Sequence, residues 1–127
     1  MLSNWKWMSV LAAGVLMSAC GGGADPTARG AVAYAPGTNS AAIAVNHTSQ
    51  QEANSDALRQ CNATGCRVVM EFSGNGTCGS LSIANNGAWG VASGGSKELA
   101  DAKAAGRCRE AGGDVCVIPQ GLETQCN

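Results

Sequence analysis

Cysteine is the residue type whose number and spacing in this chain point most directly to chemistry. The 127-residue sequence contains seven cysteines and a single histidine, His47. Zinc sites commonly use ligand pairs such as C-x-x-C, and the sequence has no such pair, so we predict no metal site. Six of the seven cysteines lie after residue 60. They are Cys61, Cys66, Cys78, Cys108, Cys116 and Cys126. An even number in an exported domain predicts three disulfides.

The pairing of these six cysteines is left open by the sequence. They form two sets of three, and if the sets are copies of one unit, symmetry favours one equivalent bridge in each copy and a third bridge between the copies. The sequence does not choose among the arrangements of this form. One such arrangement is Cys66–Cys78, Cys116–Cys126 and Cys61–Cys108.

Other candidate catalytic groups are sparse. The carboxylates show no spacing that pairs them across a cleft, and Glu52 is explained as a helix cap. The motifs of serine hydrolases, zinc proteases and phosphate-binding loops do not occur. We therefore predict no catalytic residue and no cofactor, and expect a non-enzymatic protein. Trp89 is either a core residue or, if exposed, the anchor of a binding surface.

Two predicted helices position the first cysteine of each set. Ser49 stands three residues before Glu52, which is the S-x-x-E pattern of a capping box. Apolar residues then recur on one helical face, and the pattern returns 47 positions later. The matched positions are Ser49 and Ser96, Ala53 and Ala100, Ala57 and Ala104, and Cys61 and Cys108. The repetition predicts two copies of one unit, the alternative being coincidence in a chain rich in Ala and Gly.

Strand patterns flank both helices. Predicted strands cover 31–34, 40–46, 66–72, 78–84, 88–92 and 115–118, separated by turns rich in Gly, Asn and Pro. In the strongest of them, alternation places Val68, Met70 and Phe72 on one face. The fold class is therefore α+β, with two ββαβ-like repeats forming one antiparallel sheet. Two helices cover one face of that sheet, and disulfides staple the domain.

The N-terminal segment predicts the location of the protein. A short apolar run ends in Leu16-Met17-Ser18-Ala19 before Cys20, which resembles the cleavage site of bacterial lipoproteins. That resemblance implies a signal peptide over 1–19, lipidation of Cys20, a flexible tether over 20–29 and a domain over 30–127. Met17 stands where leucine is usual, and ordinary signal cleavage nearby is the alternative. Gly21 rather than Asp after the anchor favours the outer membrane, facing the periplasm.

The charge balance excludes one class of partner. Beyond the signal, seven Lys and Arg face nine Asp and Glu, without a basic cluster. Affinity for nucleic acid depends on neutralising phosphates with Lys and Arg, so we predict no nucleic-acid partner. The membrane, reached through Cys20, and an envelope or secreted protein are the predicted partners.

The second copy carries a family resemblance. The segment A-W-G-V-A-S at 88–93, the alanine-rich helix ending at Cys108 and the strand C-V-I that begins at Cys116 resemble the domain-of-unknown-function 4189 family. In the first copy Ala42-Ile43 stands where Trp-Gly would be expected. The resemblance covers 30–126 and implies a small exported bacterial domain. It implies no established chemistry.

Together these observations predict a lipid-anchored protein-binding module of the cell envelope, comparable in build to inhibitors and immunity proteins. Two alternatives remain open. One is a structural envelope lipoprotein without a discrete partner, and the other is a small periplasmic hydrolase. A deep pocket with converging polar groups and perturbed carboxylates would favour the hydrolase. A single flat apolar or acidic patch would favour the binding module, and a uniformly polar surface would favour the structural lipoprotein.

Overall fold

A computed structural model describes residues 27–127 of the chain. The predicted signal peptide, Cys20 and most of the predicted tether lie outside the described residues. Elements follow in the order β1 (Arg29–Ala35), β2 (Ser40–His47), α1 (Gln50–Cys61), β3 (Arg67–Ser73), β4 (Cys78–Ala84), β5 (Trp89–Gly94), α2 (Lys97–Glu110), β6 (Cys116–Val117) and β7 (Gln125–Cys126). Within the described residues, neither helix has the length and apolar character needed to cross a membrane.

The α+β class is confirmed, but the strands form two antiparallel sheets rather than one. The first has the order β2-β1-β3, and the second has β5-β4-β6 with β7 also paired to β4. In both sheets, the first strand of the unit lies in the middle, between the second strand and the third. Each helix packs on its own sheet, α1 on β1 and β2, and α2 on β4 and β5.

The two sheets pack against each other, so the order of layers is helix, sheet, sheet, helix. This differs from the predicted arrangement, in which both helices lie on one sheet face. Side-chain alternation in β1 gives the reason. Ala31, Ala33 and Ala35 face α1, whereas Val32 and Tyr34 face the second sheet. Small residues let the helix approach closely, and the larger side chains fill the space between the sheets.

Phe72 occupies the middle of this inter-sheet layer. A Cβ atom built on Gly30 would lie 2.4 Å from Cζ of Phe72, and one built on Gly79 would lie 2.4 Å from its Cε1. These glycines belong to β1 and β4, one in each sheet. The ring therefore sits directly on the backbone of both sheets, at two positions where any larger residue would collide with it.

Both helices begin at the predicted serines. The Ser49 hydroxyl accepts from the Glu52 N–H, and the Ser96 hydroxyl accepts from the Leu99 N–H, each at 3.1 Å. The Glu52 carboxylate does not return to Ser49 as a capping box requires; it accepts from the Thr48 hydroxyl at 2.9 Å. One half of the predicted capping box is thus present.

Three disulfides join the six predicted cysteines, but the suggested pairing is wrong. The bridges are Cys61–Cys66, Cys108–Cys116 and Cys78–Cys126. The first two are equivalent in the two units, since each ties the last turn of a helix to the chain that follows it. The third links β4 to β7. The symmetric form was therefore correct, whereas its members were assigned wrongly, because each helical cysteine bonds to the next cysteine in sequence.

The C-terminal segment contains β7, which pairs with β4. Asn127 donates its backbone N–H to the Thr77 carbonyl at 2.9 Å, and its carbonyl accepts from the Gly76 N–H at 2.9 Å. Its side chain accepts from the Asn46 N–H at 3.0 Å and donates to the Ala28 carbonyl at 3.3 Å. The last residue thus contacts β2 of the first sheet and the turn that leads into β4 of the second sheet.

Candidate functional site

A row of apolar side chains crosses the second sheet and reaches solvent at its edge. Trp89 in β5 pairs with Ile83 in β4, and Ile83 pairs with Val117 in β6. Directly opposed residues project from the same face of a sheet. Trp89 and Ile83 are half-buried against the inter-sheet core, whereas Val117 is 55% exposed. We call these three residues the apolar row.

A crevice of about 310 Å³ opens beside the apolar row. Its lining contains no charged side chain. The residues that line it are Asn39, Ile83, Ala84, Asn85, Gly87, Val117 and Pro119. The crevice thus exposes apolar side chains and is bordered by uncharged polar residues. A low content of charged residues is typical of the centre of a protein-binding patch.

Trp89 has a structural role as well as a place in the apolar row. Its ring meets Tyr34 of the other sheet edge-to-face, with ring centroids 5.1 Å apart. The Tyr34 hydroxyl donates to Asn39 Oδ1 at 3.2 Å, and burial raises the pKa of Tyr34 above its ordinary value. This packing accounts for the half-buried indole, so exposure of the row depends on Ile83 and Val117, which the sequence did not single out.

A polar cleft lies on the other unit, where β2 leads into α1. Its volume is about 540 Å³, and we call it the α1 cleft. The lining residues are Asn46, His47, Thr48, Gln51, Glu52, Ser55, Asp56 and Arg59. His47 Nε2 lies 2.9 Å from Asp56 Oδ2. The sequence pattern did not predict this pair.

Asp56 is the centre of the charges in the α1 cleft. Gln60 donates to its Oδ2 at 3.0 Å, His47 contacts the same oxygen, and Arg59 donates to its Oδ1. Hydrogen bonds from Gln60 and His47 hold the pKa of Asp56 below its ordinary value. The carboxylate therefore stays ionised, and it fixes the position of the imidazole.

This shift predicts a pH-dependent contribution to stability. A carboxyl group with a lowered pKa in the folded state stabilises the protein fully above its unfolded pKa, and this contribution is lost as the pH falls through the folded pKa. We expect Asp56→Asn to lower the free energy of unfolding by about 1 kcal/mol at neutral pH. The difference from wild type should shrink as the pH falls below about 4.

Urea unfolding of both proteins at several pH values between about 3 and 7 measures this difference. Asp114→Asn is the matched control, because the Asp114 carboxylate accepts from the adjacent Val115 N–H and lies outside the cleft. We expect that control to follow wild type at every pH. A difference between Asp56→Asn and wild type that stays constant or widens as the pH falls below about 4 would contradict the assignment.

A second polar cluster is buried beneath α2 and holds the C-terminal segment. The Ser80 hydroxyl donates to Asp101 Oδ1 at 2.7 Å, and the Thr124 hydroxyl contacts both groups. Ser80 and Thr124 are almost completely buried. Each of these hydroxyl groups has a hydrogen-bond partner within the cluster. The cluster therefore attaches the segment before β7 to the second unit.

No group of three metal-ligating side chains occurs among residues 27–127. The predicted lipidation site, Cys20, lies outside the described part of the chain and stays a prediction. The remaining cysteines of the sequence are all in disulfides.

A comparison with models of protein families gives a match. A family model described as a domain of unknown function, DUF4189, matches residues 30–121. No curated protein and no solved structure matches the chain. The matched range begins within β1 and ends before β7, so it contains both helices and both units.

Proposed function

The chain belongs to the DUF4189 family, a family of domains of unknown function, and from that premise we propose that it is an exported, lipid-anchored, non-enzymatic protein-binding module of the cell envelope. The observation that carries this proposal is the apolar row, which ends in the exposed Val117 beside a crevice with no charged lining. An exposed valine that continues two half-buried large apolar side chains, beside an uncharged crevice, favours a protein partner.

Two further observations support the proposed location. Three disulfides in a small domain favour an oxidising compartment such as the periplasm. The pattern of small residues before Cys20 supports a lipid anchor, and Gly21 supports the outer membrane. Replacement of Cys20 by serine should release the protein from the membrane fraction if the anchor is attached there.

The apolar row predicts where a partner is bound. A photo-crosslinking amino acid placed at position 117 of the anchored protein should capture an envelope or secreted protein that the same group at position 99 does not capture. Leu99 is a suitable control because it is also exposed, at 46%, and lies on α2, which covers the opposite face of the second sheet. Mass spectrometry identifies the captured protein.

Binding of that purified protein then tests the row itself. Val117→Glu places a charge in a neutral apolar crevice and should weaken the affinity at least about tenfold, which corresponds to about 1.4 kcal/mol. Leu99→Glu should change it less than about twofold, well below 1 kcal/mol. Equal affinities of the two variants, or equal capture from both positions, would remove the apolar row as the binding surface.

A further inference from the structure

Several polar groups that line the α1 cleft have donors or acceptors that the hydrogen bonds within the cleft leave unused. His47 reaches the cleft because β2 carries an extra residue relative to β1, since the register passes from Arg29↔His47 to Ala31↔Ala44. Asn46 lies at this bulge with φ of 65°, in the left-handed region. A bulge redirects the side chains that follow it, and here it turns His47 toward Asp56.

The pair with Asp56 fixes the tautomer of His47. An ionised carboxylate only accepts hydrogen bonds, so the proton of a neutral imidazole must be on Nε2. Nδ1 is then an acceptor, and among residues 27–127 it has no hydrogen-bond partner. Arg59 is 75% exposed and binds Asp56 through one of its nitrogens, which leaves other N–H groups of the guanidinium for a ligand. Glu52 uses one oxygen for Thr48.

The second unit shows that these groups are not needed to build the fold. Scaffold positions Ser49, Ala53, Ala57 and Cys61 have identical counterparts 47 residues later. The cleft positions do not. Counterparts of His47, Thr48, Glu52, Ser55, Asp56 and Arg59 are Gly94, Gly95, Leu99, Ala102, Lys103 and Gly106. The same strand–helix unit thus forms without the cleft's polar side chains, which favours a role in binding.

Charge and spacing define what would fit. Glu52 and Arg59 stand seven residues apart on one face of α1, which is two turns or about 10 Å along the helix axis. The His47–Asp56 pair lies between them. A ligand that matches this order has a cation at one end, an anion at the other and a hydrogen-bond donor in the middle. A peptide of three residues extends about 10 Å between its termini.

We propose that the α1 cleft binds a short peptide with free termini, of about three residues. Its ammonium group pairs with Glu52, its carboxylate with Arg59, and a central peptide N–H donates to Nδ1 of His47. The start of α1 carries a partial positive charge, but the full negative charge of Glu52 is larger, so this end of the cleft still favours an ammonium group. This site is separate from the apolar row, and the inference does not depend on the proposed function.

Titration of the isotope-labelled protein with trialanine, followed by NMR, tests the inference. We expect saturable shifts in the amides of residues 46–59 and in the imidazole Nδ1 of His47. Trialanine with both termini blocked should bind at least about tenfold more weakly, a difference of about 1.4 kcal/mol. Shifts that do not saturate, that lie outside the cleft, or that are the same for the blocked peptide would overturn the proposal.

Variants assign each end of the ligand separately. Glu52→Gln should weaken binding of trialanine but not of N-acetyl-trialanine, which has already lost its ammonium group. Arg59→Gln should weaken binding of trialanine but not of the peptide amide. Glu98→Gln, in the first turn of α2, is the matched control and should bind like wild type. An equal loss for all peptides in either cleft variant would contradict the assigned orientation.

Discussion

Replacement of Gly90 by alanine is expected to lower the free energy of unfolding by about 3 kcal/mol or more, because overpacking against backbone has no side chain to absorb it. A Cβ atom at Gly90 would lie 2.4 Å from the backbone nitrogen of Cys108 and 2.7 Å from the carbonyl oxygen of Ala104. The last turns of α2 therefore rest directly on the β5 backbone. An added methyl group can be accommodated only if the whole helix moves.

Gly106→Ala in the same helix is the matched control, with the opposite expected sign. Nothing lies within 4 Å of a Cβ atom built at Gly106, and alanine is a better helix former than glycine by about 1 kcal/mol. Urea unfolding of the oxidised proteins measures both changes. A neutral effect of Gly90→Ala would show that α2 is not held against β5 in the way described.

The close contact at Gly90 gives a physical reason for a motif that is visible in the sequence, whereas the helices are predictable from local patterns alone. Trp89 and Gly90 belong to the sequence motif at 88–93, and the packing gives each of them a physical role. The indole faces the other sheet and the glycine faces α2. The helices, their serine caps and their alanine faces were predictable because capping and helical periodicity are local properties of the chain.

The strand faces were less predictable, because bulges shift them. A constant offset of 47 places Ala42-Ile43 under Trp89-Gly90. In the structure Ile43, like Trp89, belongs to the inter-sheet core, and Ala44 faces α1 as Gly90 faces α2. The extra residue at the Asn46 bulge moves the strand by one position. Alternation cannot reveal such a shift, since one residue exchanges the two faces.

A second bulge had the same effect in β3. Strict alternation places Val68, Met70 and Phe72 on one face, yet Val68 packs with the α1-side cluster, whereas Met70 and Phe72 pack between the sheets. The register between β1 and β3 shifts between Val32 and Ala33. The two-sheet arrangement follows from these long-range contacts, which the sequence pattern did not specify.

The candidate sites were predictable only in part for the same reason. Trp89 was identified from its type, whereas Ile83 and Val117 join it through strand pairing across three separate segments. His47 and Asp56 are nine residues apart and meet because of the bulge before His47. A lone histidine near a strand end carried no signal that a carboxylate of the next helix would fix its ring.

Removal of the Cys78–Cys126 bridge is expected to be the most damaging disulfide change. The bridge closes a loop with a sequence separation of 48, against 5 for Cys61–Cys66. The loss of unfolded-state entropy on closing a loop grows with its length. This gives about 4 kcal/mol for Cys78–Cys126 and about 2 kcal/mol for Cys61–Cys66.

The folded state adds to this difference. β7 pairs with β4 only through Cys78↔Cys126 and Gly79↔Gln125, so the bridge also holds Thr124 and Asn127 at their contacts with the two units. Urea unfolding of the double variants Cys78→Ala/Cys126→Ala and Cys61→Ala/Cys66→Ala compares the two losses directly. Both variants remove two thiols and one bridge, which makes each the control for the other. Equal destabilisation of the two variants would contradict the prediction. It would show that the bridge to the C-terminal segment contributes no more to the free energy of unfolding than Cys61–Cys66 does.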